Sequence, residues 1–77
     1  MRLISQDGKG DMPYEGFVFG CREGIIVATR DILGSPKSVI AQYSSEEKAM
    51  KVMTYMQCDF AIGKLYFRFP KDEEVEV

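Results

Sequence analysis

The sequence predicts an α+β fold: a small antiparallel sheet in the order β-β-β-β-α-β, with one helix packed on one of its faces. Two observations predict it. The stretch "YSSEEKAMKVMTYM" has apolar residues at helical spacing behind a capping pattern. Around it lie short segments rich in β-branched and aromatic residues, separated by glycine and proline turns. A chain of 77 residues makes one domain, here residues 1–70, followed by an acidic tail at residues 71–77.

Alternation and turn residues define the strands before the helix. "RLIS" at residues 2–5 is the first predicted strand, and the glycines and proline of "QDGKGDMP" predict a turn after it. In "YEGFVFGC", Phe17, Phe19 and Cys21 fall on one strand face. The three-residue connection "REG" predicts a hairpin with Gly24 in the left-handed conformation, leading to the strand "IIVAT". "SVIAQY" is the fourth strand.

The helix is predicted to begin after Ser44, because Glu47 follows three residues later as in a capping box. An apolar stripe then recurs at helical spacing and predicts the face that packs on the sheet: Ala49, Val52, Met53, Met56 and Phe60. Met50 and Tyr55 lie off this stripe. They sit either at the edge of the core or in a contact between subunits, where both residue types are enriched.

The last strand, "LYFRF", alternates between two faces before Pro70 ends it. Leu65, Phe67 and Phe69 share one face, and Tyr66 and Arg68 share the other. Pro70 has no N–H to contribute to a sheet ladder, so the strand is predicted to stop there.

The tail that follows, "KDEEVEV", allows two interpretations. It is either a solvated, disordered end, or its alternating Val75 and Val77 face inward as a strand added to a neighbouring subunit. In the second case its carboxylates need basic partners such as Lys48, Lys51 or Arg2.

Charge and composition exclude several classes of protein. The net charge is −2: residues 71–77 sum to −3 (one Lys against four acids) and residues 1–70 to +1 (nine basic and eight acidic residues). Without a basic stripe, we expect no general nucleic-acid binding. No apolar run approaches the 18 residues of a membrane span, so no membrane association is expected. A chain this short buries a small core, which predicts a homo-oligomer.

Catalysis finds little support in the sequence. There is no histidine, and therefore no ordinary triad or general base near neutral pH. Cys21 and Cys58 have no evident activating base, and we interpret them as reduced thiols of a cytoplasmic protein. "DGKGD" lacks the ligand spacing of a calcium loop. We therefore expect a protein that is not an enzyme and needs neither a metal nor a cofactor.

Binding has better candidates. Arg22 lies at a predicted hairpin tip, Arg30 at a strand end, and Arg68 in mid-strand beside Tyr66. An arginine fork can hold a phosphate while a neighbouring aromatic ring stacks on a base. The alternative is that Arg68 simply occupies the solvated face of its strand, with Phe67 and Phe69 in the core.

The two ends and the helix resemble known proteins. "MRLISQDG" with "MPYE", "YSSEEKAMKVM" and "YFRFPKDEEVEV" resemble small proteins encoded by clostridial and related firmicute genomes, phages and prophages. The resemblance implies a phage or prophage protein that acts in the host cytoplasm. By similarity in outline to phage sponges, it further implies an anti-defence protein that sequesters a cyclic-nucleotide immune signal at arginines and aromatic residues. The alternatives are an inhibitor that binds a host defence protein, and an accessory phage structural protein.

Overall fold

The computed structural model describes residues 1–30, 34 and 36–76, and it confirms the α+β class. Its elements are β1 (Arg2–Ile4), β2 (Asp11–Pro13), β3 (Phe17–Arg22), β4 (Ile25–Arg30), β5 (Ser38–Gln42), α1 (Glu46–Ala61), β6 (Tyr66–Arg68) and a 3₁₀ turn (Asp72–Glu74). None of the helices in these residues has the length and apolarity needed to cross a membrane.

The strands form two sheets of three strands instead of the predicted single sheet. The meander sheet has the order β3-β4-β5 and is antiparallel throughout. The terminal sheet has the order β2-β1-β6, in which β1 is antiparallel to β2 and parallel to β6. The segment predicted as a turn after β1 therefore contains a strand of its own, and the last strand pairs with the first.

Gln6 joins the two sheets. Its backbone N–H donates to the carbonyl of Ile40 at 3.1 Å. Its side-chain amide donates to the carbonyl of Gln42 at 3.0 Å and accepts from the Gln42 N–H at 2.9 Å. The same amide nitrogen also lies 3.2 Å from the carbonyl oxygen of Pro70, so one side chain links β1, β5 and the end of β6.

The hairpin between β3 and β4 is tighter than predicted. Arg22 pairs with Ile25, which leaves Glu23 and Gly24 as a two-residue loop with φ of 53° and 84°. Positive φ at both central positions is the type I′ geometry that suits the twist of a hairpin. Gly24 also lies against the Tyr43 carbonyl oxygen, where a Cβ would collide.

The helix covers the core with the predicted stripe. It begins after Ser45, one residue later than predicted, and the Ser45 hydroxyl accepts a hydrogen bond from the Lys48 N–H at 3.2 Å. Its buried residues are Ala49, Val52 and Met56. Phe60, the last member of the stripe, is 43% exposed because it lies at the helix end, where its ring stacks on Tyr14 at 4.3 Å.

The acidic tail folds back onto its own chain. The Pro70 carbonyl accepts a hydrogen bond from the Tyr43 hydroxyl at 2.7 Å. Asp72 accepts from the Ser44 N–H at 2.8 Å, which lowers the pKa of its carboxyl, and it also lies 3.6 Å from the Lys48 ammonium. Val75 is only 4% exposed and belongs to the core.

The tail prediction therefore needs a correction. Lys48 and Lys51 do contact the tail as predicted, Lys51 by donating to the carbonyl of Glu76, but they do so within one chain. The Val75 side chain packs into the core of its own chain, so it is not exposed for the predicted contact with another subunit. Val77, the other predicted contact, lies outside the described residues.

Candidate ligand-binding surface on the last strand

The structure separates the four predicted binding residues into three places. Tyr66 and Arg68 lie on β6 of the terminal sheet, whereas Arg22 and Arg30 lie on the meander sheet. Arg22 pairs with Ile25 at one end of β4, and Arg30 is at the other end, about 17 Å away at the usual strand rise. Tyr66 and Arg68 lie two residues apart on one strand and are therefore placed to contact one small ligand together.

Arg22 and Arg30 have separate surroundings. The Arg30 guanidinium lies over the ring of Phe17, 5.7 Å from its centroid. Arg22 is exposed beside the hairpin and lines a shallow groove together with Val27 and Lys37. Arg22 and Arg30 therefore lie apart from each other, and neither lies on the strand that carries Arg68.

The two faces of β6 follow the predicted alternation. Phe67 is 7% exposed and Phe69 is 1% exposed, while Tyr66 is 61% exposed and Arg68 is also exposed. Leu65 was predicted to share the buried face, but it is 86% exposed because it precedes the strand and extends beyond the core. The outward face of β6 therefore presents a tyrosine and an arginine one pleat apart.

The Arg68 guanidinium is open to a ligand. A Cβ built on Gly8 would approach its Nη2 to 3.0 Å, so the absence of a side chain at Gly8 makes room for the guanidinium. Arg68 makes no ion pair and no hydrogen bond from its side chain to any residue in the described part of the chain. Its five N–H donors are therefore available to a planar or tetrahedral oxyanion.

Two clefts meet at Arg68. The larger, of about 500 Å³, lies on the tail side and is lined by Gln6, Arg68 and residues 69–71, 73 and 74. The other, of about 410 Å³, lies on the helix side and is lined by Asp59 and residues 64–68. We call the group formed by Lys64, Tyr66, Arg68 and Lys71 the β6 surface.

The charge around the β6 surface is balanced. Three cations (Lys64, Arg68, Lys71) face three acids (Asp59, Glu73, Glu74) among the residues that line the two clefts. One Glu74 oxygen is engaged, since it accepts from the Lys71 N–H at 2.9 Å. The formal sum of zero gives no long-range attraction for anions, so recognition must rest on direct contacts of the Arg68 fork.

The two cysteines have different surroundings. Burial raises the pKa of the Cys21 thiol, and the Glu46 carboxylate raises it further, so its nucleophilic thiolate is disfavoured. Cys58 is exposed. No cluster of three or more His, Cys, Asp or Glu residues is placed to hold a metal ion in residues 1–30, 34 and 36–76.

The two helix residues predicted as subunit contacts are both at the surface. Met50 is 52% exposed and Tyr55 is 45% exposed, on the side of α1 that faces away from the core. The Lys51 ammonium lies 6.0 Å from the centroid of the Tyr55 ring. Their contact with another subunit stays a prediction.

Lys64 and Lys71 belong to the β6 surface in addition to the predicted site residues. Both flank the aromatic strand, and that position in "KLYFRFPK" was the signal available for them. No feature of the sequence indicates the role of Gln6, because its hydrogen bond to the Pro70 carbonyl depends on the pairing of β1 with β6.

The chain matches no protein-family model, and neither a curated protein nor a solved structure shows significant similarity to it.

Proposed function

We propose that this protein acts by binding, without catalysis, and sequesters a small anionic ligand of the nucleotide class on the β6 surface. The observation that carries the proposal is the open guanidinium of Arg68, which lies between two clefts and one pleat away from the exposed ring of Tyr66. A phosphate held by the fork and a base stacked on the ring are the two contacts that a nucleotide needs.

The role of such binding follows from the resemblance of the chain ends to phage and prophage proteins. A sequestering protein from a phage antagonises bacterial immunity when its ligand is a cyclic-nucleotide signal. The zero formal charge of the clefts favours this reading over general nucleic-acid binding, because a polyanion would need a basic stripe.

Isothermal titration calorimetry with a panel of cyclic mononucleotides and cyclic dinucleotides tests the proposal. Arg68→Ala is expected to weaken binding by about 1.5–3 kcal/mol, or roughly 12- to 150-fold, the typical worth of a hydrogen bond to a charged group. Arg68→Lys should restore only part of it, because an ammonium lacks the planar fork. Inorganic phosphate and adenosine measure the fork and ring contributions separately.

Matched controls are available in the same chain. Arg22→Ala and Arg30→Ala each remove an exposed arginine from the other sheet, and we expect both to leave affinity unchanged. Arg68→Ala should melt within a few degrees of the wild type, because substitutions at exposed positions usually cost about 0.5 kcal/mol or less. The proposal is wrong if no nucleotide of the panel binds, or if Arg68→Ala binds as tightly as Arg22→Ala.

A further inference from the structure

The outer edge of β6 is open. In a parallel pair, alternate residues direct both their N–H and C=O groups toward the partner strand. The Arg2 N–H donates to the Leu65 carbonyl at 3.0 Å and the Phe69 N–H donates to the Ile4 carbonyl at 3.1 Å, which fixes the residues of β6 that face β1. Tyr66 and Arg68 therefore direct their backbone groups away from β1.

No other strand pairs with this edge among the described residues, since β6 is the last strand of the terminal sheet. The cleft of about 410 Å³ that runs along residues 64–68 borders it. The structure thus presents two backbone donors and two backbone acceptors to solvent, in the arrangement that accepts one more strand.

We propose that the occupant is β6 of a second copy of this chain, paired antiparallel about a two-fold axis at Phe67. In this register Tyr66 lies opposite Arg68 of the partner subunit, and Arg68 lies opposite Tyr66 of the partner subunit. Both residues of each pair direct their backbone groups toward each other, so each pair exchanges two backbone hydrogen bonds. The result is a continuous sheet of six strands with the order β2-β1-β6-β6-β1-β2.

The side chains of this edge are self-complementary in that register. Directly opposite side chains in such a pair lie close together, and here each pair consists of an aromatic ring and a guanidinium on the same outward face. Leu65 has the parity of the inward face but is 86% exposed in the single chain. Pairing places it opposite Phe69 of the partner subunit, where an apolar side chain has apolar neighbours.

Chemistry favours a second copy over an unrelated peptide, because the strand supplies both members of each cross-strand pair. The strand is short, with only three residues. A stable interface buries about 1,200 Å² or more in total, so we expect a dimer that dissociates on dilution.

The dimer would complete the ligand site, a point that rests on the proposed function. Two Arg68 guanidinium groups and two Tyr66 rings lie on one face of the joined sheet, related by the two-fold axis. A ligand that carries two phosphates related by two-fold symmetry, such as a cyclic dinucleotide, can contact both guanidinium groups at once. Each ligand would then bind two chains.

Sedimentation velocity from about 10 µM to about 1 mM tests the dimer without any ligand. Tyr66→Ala and Tyr66→Pro form a matched pair: both remove the ring, but only proline removes the edge N–H. The Tyr66 N–H does not bond to β1, so proline leaves the β1–β6 ladder complete, as proline does on edge strands. We expect the wild type to dimerise, Tyr66→Ala to dimerise more weakly because it lacks the ring, and Tyr66→Pro to remain monomeric, all with the same circular dichroism.

Disulfide formation tests the register. In a Cys58→Ser background, a mixture of Tyr66→Cys and Arg68→Cys chains should cross-link under oxidation, because the paired Cα atoms would be about 5.5 Å apart. Neither variant alone should cross-link, since like positions are offset by two residues and lie about 8.5 Å apart, beyond the roughly 7 Å limit for a disulfide.

A chain that stays monomeric at about 1 mM overturns the inference, and so does a Tyr66→Pro variant that keeps the dimer mass. A monomeric chain that still binds a nucleotide through Arg68 leaves the proposed function standing. A dimer with the expected cross-link that binds no nucleotide supports the inference and removes the proposed ligand.

Discussion

Val75→Ala is expected to destabilise the protein by about 2 kcal/mol, although the residue belongs to a tail with four acidic side chains. Its side chain is 4% exposed and packs into the core. The substitution removes two methyl groups, worth about 0.8 kcal/mol each in transfer free energy, and leaves a small cavity that adds to the cost.

The corresponding shift in melting temperature can be worked out from the size of the chain. At roughly 2.1 cal/mol/K per residue, 77 residues give an unfolding entropy of about 160 cal/mol/K. A loss of about 2 kcal/mol then lowers the melting temperature by about 12 °C. Thermal unfolding followed by circular dichroism measures this directly.

Glu73→Ala is the matched control, because Glu73 lies in the same 3₁₀ turn but is exposed. We expect it to melt within about 2 °C of the wild type. The difference between the two variants should be the same at low and high protein concentration, since Val75 packs within its own chain. Equal melting temperatures for the two variants would refute the packing argument, and a difference that grows with concentration would place Val75 in a subunit contact instead.

Two further predictions concern buried contacts. Tyr43→Phe should cost about 0.5–1.5 kcal/mol by removing the hydrogen bond to the Pro70 carbonyl. Burial raises the pKa of Tyr43, so its hydroxyl stays protonated in the folded state, whereas in the unfolded chain it ionises above about pH 10. This tyrosine therefore lowers the stability of the wild type above that pH. Urea titrations of the Phe variant should show a smaller loss of stability over the same pH range. Gly24→Ala should destabilise the protein more than Gly16→Ala. Both glycines have positive φ, of 84° and 87°, but only at Gly24 would a Cβ collide with backbone atoms. Similar urea midpoints for the two variants would contradict this reasoning.

The features that the sequence predicted correctly depend on local patterns. The apolar stripe of α1 and the alternation of β6 need no knowledge of the rest of the chain, because helix and strand periods alone decide which residues share a face. Tyr66 and Arg68 were therefore assigned to the outward face, and the structure confirms their exposure. The strand ends at Arg68, two residues before Pro70, and Phe69 still donates to the Ile4 carbonyl.

The pairing of β1 with β6 could not be predicted in the same way. Residues 2 and 65 are joined by a backbone hydrogen bond across almost the whole chain, and the alternation of either strand is compatible with another neighbour. β2 was missed because it has only three residues, ends in Pro13 and follows two glycines, which together have the composition of a turn. Splitting the strands into two sheets follows from these non-local choices.

The prediction for the acidic tail was limited in the same way. The β-branched residues of "EVEV" indicated a buried surface, and Val75 is buried. The pattern does not specify which chain supplies that surface. The folded chain supplies this buried surface itself. The hydrogen bond of the Tyr43 hydroxyl to the Pro70 carbonyl and the contacts of Asp72 with Ser44 and Lys48 hold the tail against the start of α1.

The position of Arg68 results from these same non-local contacts. β6 is held on one side by β1, through the Ile4 carbonyl, and at its end by two hydrogen bonds to the Pro70 carbonyl, from Gln6 and Tyr43. A binding group works best when rigid elements hold it. Here the residues that hold β6 in place either lie outside the clefts or already make hydrogen bonds within the fold. Substitutions at Arg68 should therefore separate binding from stability, whereas substitutions at Gln6 should lower both, because they loosen the strand that positions the guanidinium.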